Sequence, residues 1–204
     1  MNASIIKTLN EETLETIYDI EVKRINGEKT RLSEYKGKVL LIVNGASKCG
    51  YTPQYRELQK LHSKYKGKGL KILLFPCNDF LNQEEGEDME IENFCKSNFN
   101  IEFDLFGKVK ILGSNAHPLY QLLQDFSQPA ISPGGMKTIL FGGFKKLAYF
   151  MMGKRPKIPG GVQWNFHKYL VGPNGEVQAH FLSEVDPFND VLIERIETQL
   201  ENAS

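Results

Sequence analysis

The chain has 204 residues, 41% hydrophobic and 25% charged, enough for one domain around a single core and too apolar for a disordered chain. Its 25 lysines and arginines match its 25 aspartates and glutamates, which excludes a globally basic nucleic-acid binder, and no apolar run is long enough to span a bilayer. Three cysteines exclude a secreted disulfide framework, and the first twenty residues place acids where an export leader needs an apolar stretch, so a cytoplasmic protein with reduced cysteines is expected.

Residues 1–15 are polar and acidic and read as a flexible lead-in. Ile17–Lys23 alternates apolar and polar residues, and Asn26-Gly27 follows as a turn, so a hairpin is expected to open the fold. Val39–Val43 is a continuous β-prone run, the pattern of a strand buried on both faces. Thr52 and Pro53 then read as N-cap and first residue of a helix whose inner face is Tyr55, Leu58, Leu61 and Tyr65. Lys66-Gly67-Lys68-Gly69 stops it, and Leu70–Phe75 is a second buried strand, so strand, helix and strand form a crossover with parallel strands.

Asp88–Asn98 reads as a helix with Ile91, Cys95 and Asn98 on one side. Ala116–Phe126 reads as another, with Leu119, Leu122, Leu123 and Phe126 inward. Phe166–Val171 and Glu176–Leu182 flank Gly172-Pro173-Asn174-Gly175, an antiparallel hairpin signal. Asp186-Pro187 is expected to open a last helix that buries Leu192, Ile193, Ile196 and Leu200. The sum is an α/β domain spanning 1–204, with a mixed central sheet flanked by helices.

Residues 127–163 break the pattern, with no acidic residue, six lysines and arginines, seven glycines and four prolines. The rest of the chain is left with 19 basic against 25 acidic residues. Within this basic insertion Leu140, Phe144, Leu147 and Met151 share a helical face opposite Lys145 and Lys146. A subunit contact or a flap over the core is the favoured reading. The alternative is contact with an anionic membrane surface through 137–157, by Lys137, Lys145, Lys146, Lys154, Arg155 and Lys157.

Cys49 stands past the first buried strand and three residues before Thr52, where a helix N-terminus, free backbone N–H groups and the adjacent Lys48 favour a thiolate. Position alone leaves open a small cysteine that merely packs. Pro53 follows Thr52 where a C-x-x-C pair would need its second cysteine. Cys49, Cys77 and Cys95 are too widely spaced, and His62, His117, His167 and His180 too scattered, for a zinc site, so no metal or cofactor is expected. His117 before Pro118 reads as a helix cap or a packing residue.

Three segments together resemble the glutathione peroxidase family in its cysteine form. Asn44-Gly45-Ala46-Ser47-Lys48-Cys49-Gly50-Tyr51-Thr52 is similar to the family's peroxidatic signature. Phe75-Pro76-Cys77-Asn78-Asp79-Phe80 with Gln83-Glu84-Glu85-Gly86 is similar to its second, and Trp164-Asn165-Phe166-His167-Lys168-Tyr169-Leu170 to its third. The order matches and the similarity runs from about Ile17 to Leu200, broken by the insertion.

The resemblance implies a thioredoxin-like fold and a thiol peroxidase acting on hydrogen peroxide and organic hydroperoxides, lipid ones among them. It implies a catalytic group of Cys49, Gln83, Trp164 and Asn165, with amide and indole donors suited to the charge that develops as a peroxide bond breaks. Cys95 resembles the resolving cysteine of thioredoxin-dependent members. A disulfide with Cys49 would need that helix to unwind locally, and the alternative is a packing cysteine. Cys77 reads as structural. Glutathione-binding members carry arginines after the third signature, whereas Gln178-Ala179-His180-Phe181-Leu182 has none. Thioredoxin or a similar dithiol protein is therefore the expected donor, with glutathione, or a sensor passing its disulfide to a partner protein, as alternatives. The chain departs from the family at Gly45, usually valine, Asp79, often glutamine, and Glu85, often proline. Asp79 is expected to bring negative charge near the site.

Overall fold

A computed structural model describes residues 16–126, 129–133 and 161–203. The lead-in 1–15 and the 137–157 stretch, with its lysines and apolar helical face, lie outside the described residues. Of the insertion, only 129–133 and 161–163 are described.

The opening hairpin forms, but from shorter pieces than the alternation predicts. Thr16 accepts a hydrogen bond from the Tyr18 N–H and turns Ile17–Asp19 into a 3-10 helix, so the strand begins later. Strand β1 (Glu21–Lys23) pairs antiparallel with β2 (Lys29–Arg31) as a two-stranded sheet of its own. Gly27 turns the chain between them at φ +91°, where a side chain would be strained.

Strand β3 (Val39–Gly45) is buried at all seven positions, as its unbroken apolar run requires. The chain then enters helix α1 (Gln54–Tyr65) and returns along β4 (Leu70–Pro76), parallel to β3 in the register Val39↔Leu70 through Gly45↔Pro76. Tyr55, Leu58, Leu61 and Tyr65 are fully buried, the face their spacing predicts. Helix α2 (Asp88–Phe99) and the short strand β5 (Asp104–Leu105) follow. Next come helix α3 (Pro118–Phe126), the hairpin of β6 (Lys168–Val171) and β7 (Val177–Phe181), and helix α4 (Asp190–Asn202).

The main sheet runs in the order β5-β4-β3-β6-β7. β3, β4 and β5 are parallel, whereas β6 and β7 are antiparallel to their neighbours. This mixed sheet with flanking helices is the thioredoxin-like arrangement expected, and it places the end of β3 at the middle of one sheet edge. Ile131 extends the β7 side, its N–H donating to the His180 carbonyl at 2.7 Å. Among the described residues no helix is long and apolar enough to cross a membrane.

Three local expectations shift. Pro53, not Thr52, is the N-cap of α1, because the Thr52 hydroxyl is used inside the preceding loop. Asn98 points out of α2 and donates to the Phe94 carbonyl, while Ile91 and Cys95 face the core. The last helix begins at Asp190 rather than at Asp186, whose carboxylate closes a turn by accepting from the Phe188 N–H. Asn189 is its cap, accepting from the Val191 N–H at 3.1 Å.

Gly45 has a local reason. A Cβ there would run into the Tyr55 hydroxyl and stand 2.8 Å from a Leu74 methyl, so Tyr55 fills the space that a larger residue would take. Replacing Gly45 by alanine should cost about 1–3 kcal/mol by overpacking. Urea unfolding would read this as a lower midpoint at unchanged slope.

Candidate active site

Cys49 sits in the loop between β3 and α1, where the backbone N–H groups of Ser47, Lys48, Cys49, Tyr51 and Thr52 each have an acceptor. The Ser47 N–H and hydroxyl both donate to Glu84 Oε2, at 2.8 and 3.0 Å. The Lys48 N–H donates to the Gln83 carbonyl at 3.0 Å. Thr52 Oγ1 accepts from the Cys49 N–H at 3.0 Å and donates to the Ala46 carbonyl at 2.7 Å. The Tyr51 N–H points at Cys49 Sγ, 3.5 Å away, a donor aimed where negative charge on sulfur would sit. Cys49 is only 6% exposed, at the carboxyl end of the central strand. Lys48 does not face it: its ammonium pairs with Glu85 at 2.7 Å in solvent, so it gives the sulfur less help than its neighbouring position suggests.

Gln83 arrives on the loop after β4, whose backbone takes left-handed φ values of +54° and +51° at Leu81 and Asn82. The Asn78 side chain accepts from the Glu84 N–H at 2.8 Å, and the Lys108 ammonium donates to the Gly86 carbonyl at 2.7 Å. Trp164 and Asn165 arrive on the segment before β6. Asn165 donates through Nδ2 to Gln83 Oε1 at 3.2 Å, which leaves the Gln83 amide N–H groups directed elsewhere. The Trp164 ring packs against Phe80 with centroids 5.9 Å apart. The structure therefore joins Gln83 to Asn165 directly, Trp164 to Asn165 through the chain, and the Cys49 loop to Gln83 through its backbone.

Asn44, the first residue of the segment that carries Cys49, does the joining. Its Nδ2 donates to the Trp164 carbonyl at 3.0 Å and to Asn165 Oδ1 at 3.3 Å, while its Oδ1 accepts from the His167 N–H at 3.0 Å. Its backbone carbonyl also accepts from the Phe166 N–H at 2.6 Å. A polar side chain ending an otherwise apolar buried strand was the available signal. Behind it, Ser183 donates to the Asn165 carbonyl at 2.7 Å, and the buried Lys168 amine donates to the carbonyl of Phe166, itself held at φ +68°.

Cys77 and Cys95 are both fully buried. Burial, followed by the charge of Asp79, pushes the Cys77 thiol well up, which suits a structural thiol. Burial also pushes the Cys95 thiol up to about 12, with Glu84 and Glu92 adding to it. The Tyr55 hydroxyl is fully buried without a hydrogen-bond partner, and its phenol is raised by burial and then by Cys95, Glu84 and Cys49.

Asp79 is not turned to the site. Its carboxylate accepts from the Ile111 and Leu112 N–H groups at 2.6 and 2.9 Å and ties down that loop. His117 caps α3, its Nδ1 accepting from the Leu119 N–H at 3.2 Å. His167 and His180 meet at 2.8 Å in the core. Among the described residues, no three histidine, cysteine or acidic side chains gather as metal ligands.

The sequence model described as Glutathione peroxidase matches residues 17–124. Glutathione peroxidase-like peroxiredoxin 2 of Saccharomyces cerevisiae is 42% identical over 172 residues, covering 84% of this chain and 90% of that protein. Thioredoxin/glutathione peroxidase BtuE of Escherichia coli is 38% identical over 186 residues, covering 91% and 98%. The crystal structure of T. cruzi GPX1 is similar with a TM-score of 0.61 at 28% identity, covering 92% of this chain and 97% of that one.

Two outcomes follow from the packing. Asn44→Ala strands the His167 N–H and the Trp164 carbonyl, and should lower unfolding free energy by at least about 2 kcal/mol, measured in urea. Burial lowers the Lys168 amine from 10.5 to about 7, opposed by Asp186 and Glu184. Above pH 7 the folded amine releases a proton that the unfolded chain keeps, so stability should rise with pH up to about 10. Lys168→Met should lack that rise when the two proteins are unfolded in parallel at pH 7, 8 and 9.

Proposed function

Because the chain belongs to the glutathione peroxidase family and is a peroxidase, we propose that Cys49 is its peroxidatic residue and that Cys95 resolves the oxidised form. The Cys49 thiolate attacks the terminal oxygen of a hydroperoxide. The O–O bond breaks with its electron pair on the leaving oxygen, which takes a proton and departs as alcohol or water. Cys49 is left as a sulfenic acid. Gln83, Asn165 and the Trp164 indole are the donors that stabilise charge on sulfur and leaving oxygen. The observation that carries this reading is the Cys49 loop bonded to Gln83 through Lys48, with Gln83 bonded to Asn165.

Cys95 then condenses with the sulfenic acid, and a dithiol protein reduces the resulting disulfide. The placement of Cys95 supports this role. Its carbonyl lies in the last turn of α2, where it accepts from the Asn100 N–H, and Asn100 closes that turn at φ +52°. Opening one terminal turn is a small local unfolding and would release Cys95 toward Cys49. The name of the Escherichia coli relative cites thioredoxin as well as glutathione. The lack of arginine along 178–182, where β7 runs, favours the dithiol donor here.

Cys49→Ser should abolish peroxide reduction. Cys95→Ser should still oxidise at Cys49 but lose turnover with thioredoxin in a coupled assay; normal turnover would remove the resolving role. Intact mass after one equivalent of hydrogen peroxide separates the donors. Loss of two hydrogens with Cys49 linked to Cys95 supports the two-cysteine cycle. Gain of one oxygen on Cys49, with Cys95 still open to alkylation, moves the donor toward glutathione or the function toward a sensor awaiting its partner protein.

A further inference from the structure

Cys49 and Gln83 stand on separate loops, after β3 and after β4, and a peroxide bond breaks fast only if sulfur and amide donor are held in one geometry. The second loop reaches Gln83 through left-handed backbone at Leu81 and Asn82, φ +54° and +51°, which residues other than glycine seldom adopt. Such a turn persists only where its surroundings hold it. The Lys48 N–H gives one bond, to the Gln83 carbonyl at 3.0 Å. The residue after Gln83 supplies more.

Glu84 is bonded through its N–H, its carbonyl and its carboxylate. The N–H donates to Asn78 Oδ1 at 2.8 Å, which anchors the loop just past β4. The carbonyl accepts from the Lys108 ammonium at 3.3 Å, and the same ammonium donates to the Gly86 carbonyl at 2.7 Å. Oε2 accepts from the Ser47 N–H at 2.8 Å and from the Ser47 hydroxyl at 3.0 Å, two residues before Cys49. Ser47 and Lys48 therefore bond to Glu84 and Gln83 in turn, which sets the two loops side by side in one register. Glu84 is 2% exposed, and burial raises its carboxyl, against the Ser47 bonds and the Lys108 and Lys48 charges. A buried carboxylate is costly, and this one puts negative charge beside the loop of a sulfur that must itself become negative, which opposes the thiolate. What it offers Cys49 is its bonds, not its charge.

We propose that Glu84 is a positioning residue of the peroxidatic step, its carboxylate fixing the Cys49 loop in register with Gln83 so that sulfur and amide donor meet the peroxide together. The role rests on Cys49 being the peroxidatic residue and Gln83 its donor. Glu84 takes no part in the bond changes. An ionised acceptor holds its donors more firmly than a neutral one, so two Ser47 donors converging on one carboxylate oxygen make a stiff joint between the loops. Removing the charge then has two consequences of opposite sign. Lost repulsion makes Cys49 ionise more readily and react faster, whereas lost register makes it react more slowly with peroxide.

Glu84→Gln separates the two, because glutamine keeps the volume and an oxygen acceptor while removing the charge. Two reactions of Cys49 are timed, with peptide mapping to place them: oxidation by hydrogen peroxide, which needs Gln83 in position, and alkylation by iodoacetamide, which needs only an accessible thiolate. Both are followed across pH and compared on the plateau where the thiol is fully ionised, so that a shifted titration does not enter. The expected result is peroxide oxidation slowed about tenfold or more, with alkylation within about twofold of the wild type. Equal slowing of both reactions would make Glu84 a support for the fold of the loop alone, and unchanged or faster oxidation would leave its charge as its only influence; either overturns the proposal. Ser47→Ala removes one donor, leaves the buried carboxylate in place, and should show the same selective loss at smaller size. Should Glu84→Gln not fold, no selective loss in Ser47→Ala overturns the proposal. Gln83→Ala checks the reading beneath: oxidation at the wild-type rate would remove the donor assignment, and the role of Glu84 with it.

Discussion

The Asn44 side chain bonds to a segment some 120 residues away and thereby decides where two of the four expected catalytic residues stand. It lies at the end of a strand buried on both faces, where an unpaired amide would cost roughly 1–3 kcal/mol for each group left unsatisfied. Trp164, Asn165 and His167 supply its partners, and they can do so only if the chain before β6 turns back over the end of β3. Phe166 accepts a left-handed backbone, unfavourable for a bulky residue, as part of that turn. The buried Lys168 amine bonds the Phe166 carbonyl and holds the turn from behind. Satisfying one buried polar side chain thus aims Asn165 at Gln83, and Gln83 in turn receives the backbone of the Cys49 loop.

The two fully buried thiols sit in different surroundings. Cys77 is flanked by Asp79, whose carboxylate is spent on the backbone of the 111–112 loop. The Cys77 backbone N–H donates to the Gly45 carbonyl at the end of β3, 2.9 Å away. Cys95 shares its surroundings with Glu84 and Tyr55, and Glu84 is bonded to Ser47 beside Cys49. Burial protects both thiols at rest.

Departures from the family pattern are explained by local neighbours. Gly45 leaves room for Tyr55, whose ring packs against Phe166 with centroids 5.0 Å apart and against Phe99 of α2 at 5.4 Å. Tyr55 therefore touches the Cys49 strand, the Cys95 helix and the segment after Asn165 at once. Its orphan hydroxyl is a local cost of that position. Glu85 is used by Lys48 at the surface, which exchanges two exposed charges for one weak pair.

The sequence by itself determined the βαβ crossover, the hairpin around Gly172–Gly175 and the apolar faces of α1 and α4, because hydrophobic period and turn chemistry are local properties. The resemblance of three short segments singled out Cys49, Gln83, Trp164 and Asn165 as candidates, and Cys95, outside those segments, was singled out by its likeness to a resolving cysteine. Capping was less legible: Thr52 and Asp186 have the right chemistry for an N-cap, but their oxygens were claimed by nearer donors, and propensity does not say which donor wins. The direction of Lys48 away from Cys49, the use of Asp79 as a loop anchor, and the joining role of Asn44 were decided only by tertiary structure. So was the burial of the Glu84 carboxylate on Ser47, two residues before Cys49. Each depends on which partner comes within about 3 Å after the chain has closed loops of tens of residues, and hydrogen-bond energy falls too steeply with distance and angle for sequence spacing to specify it.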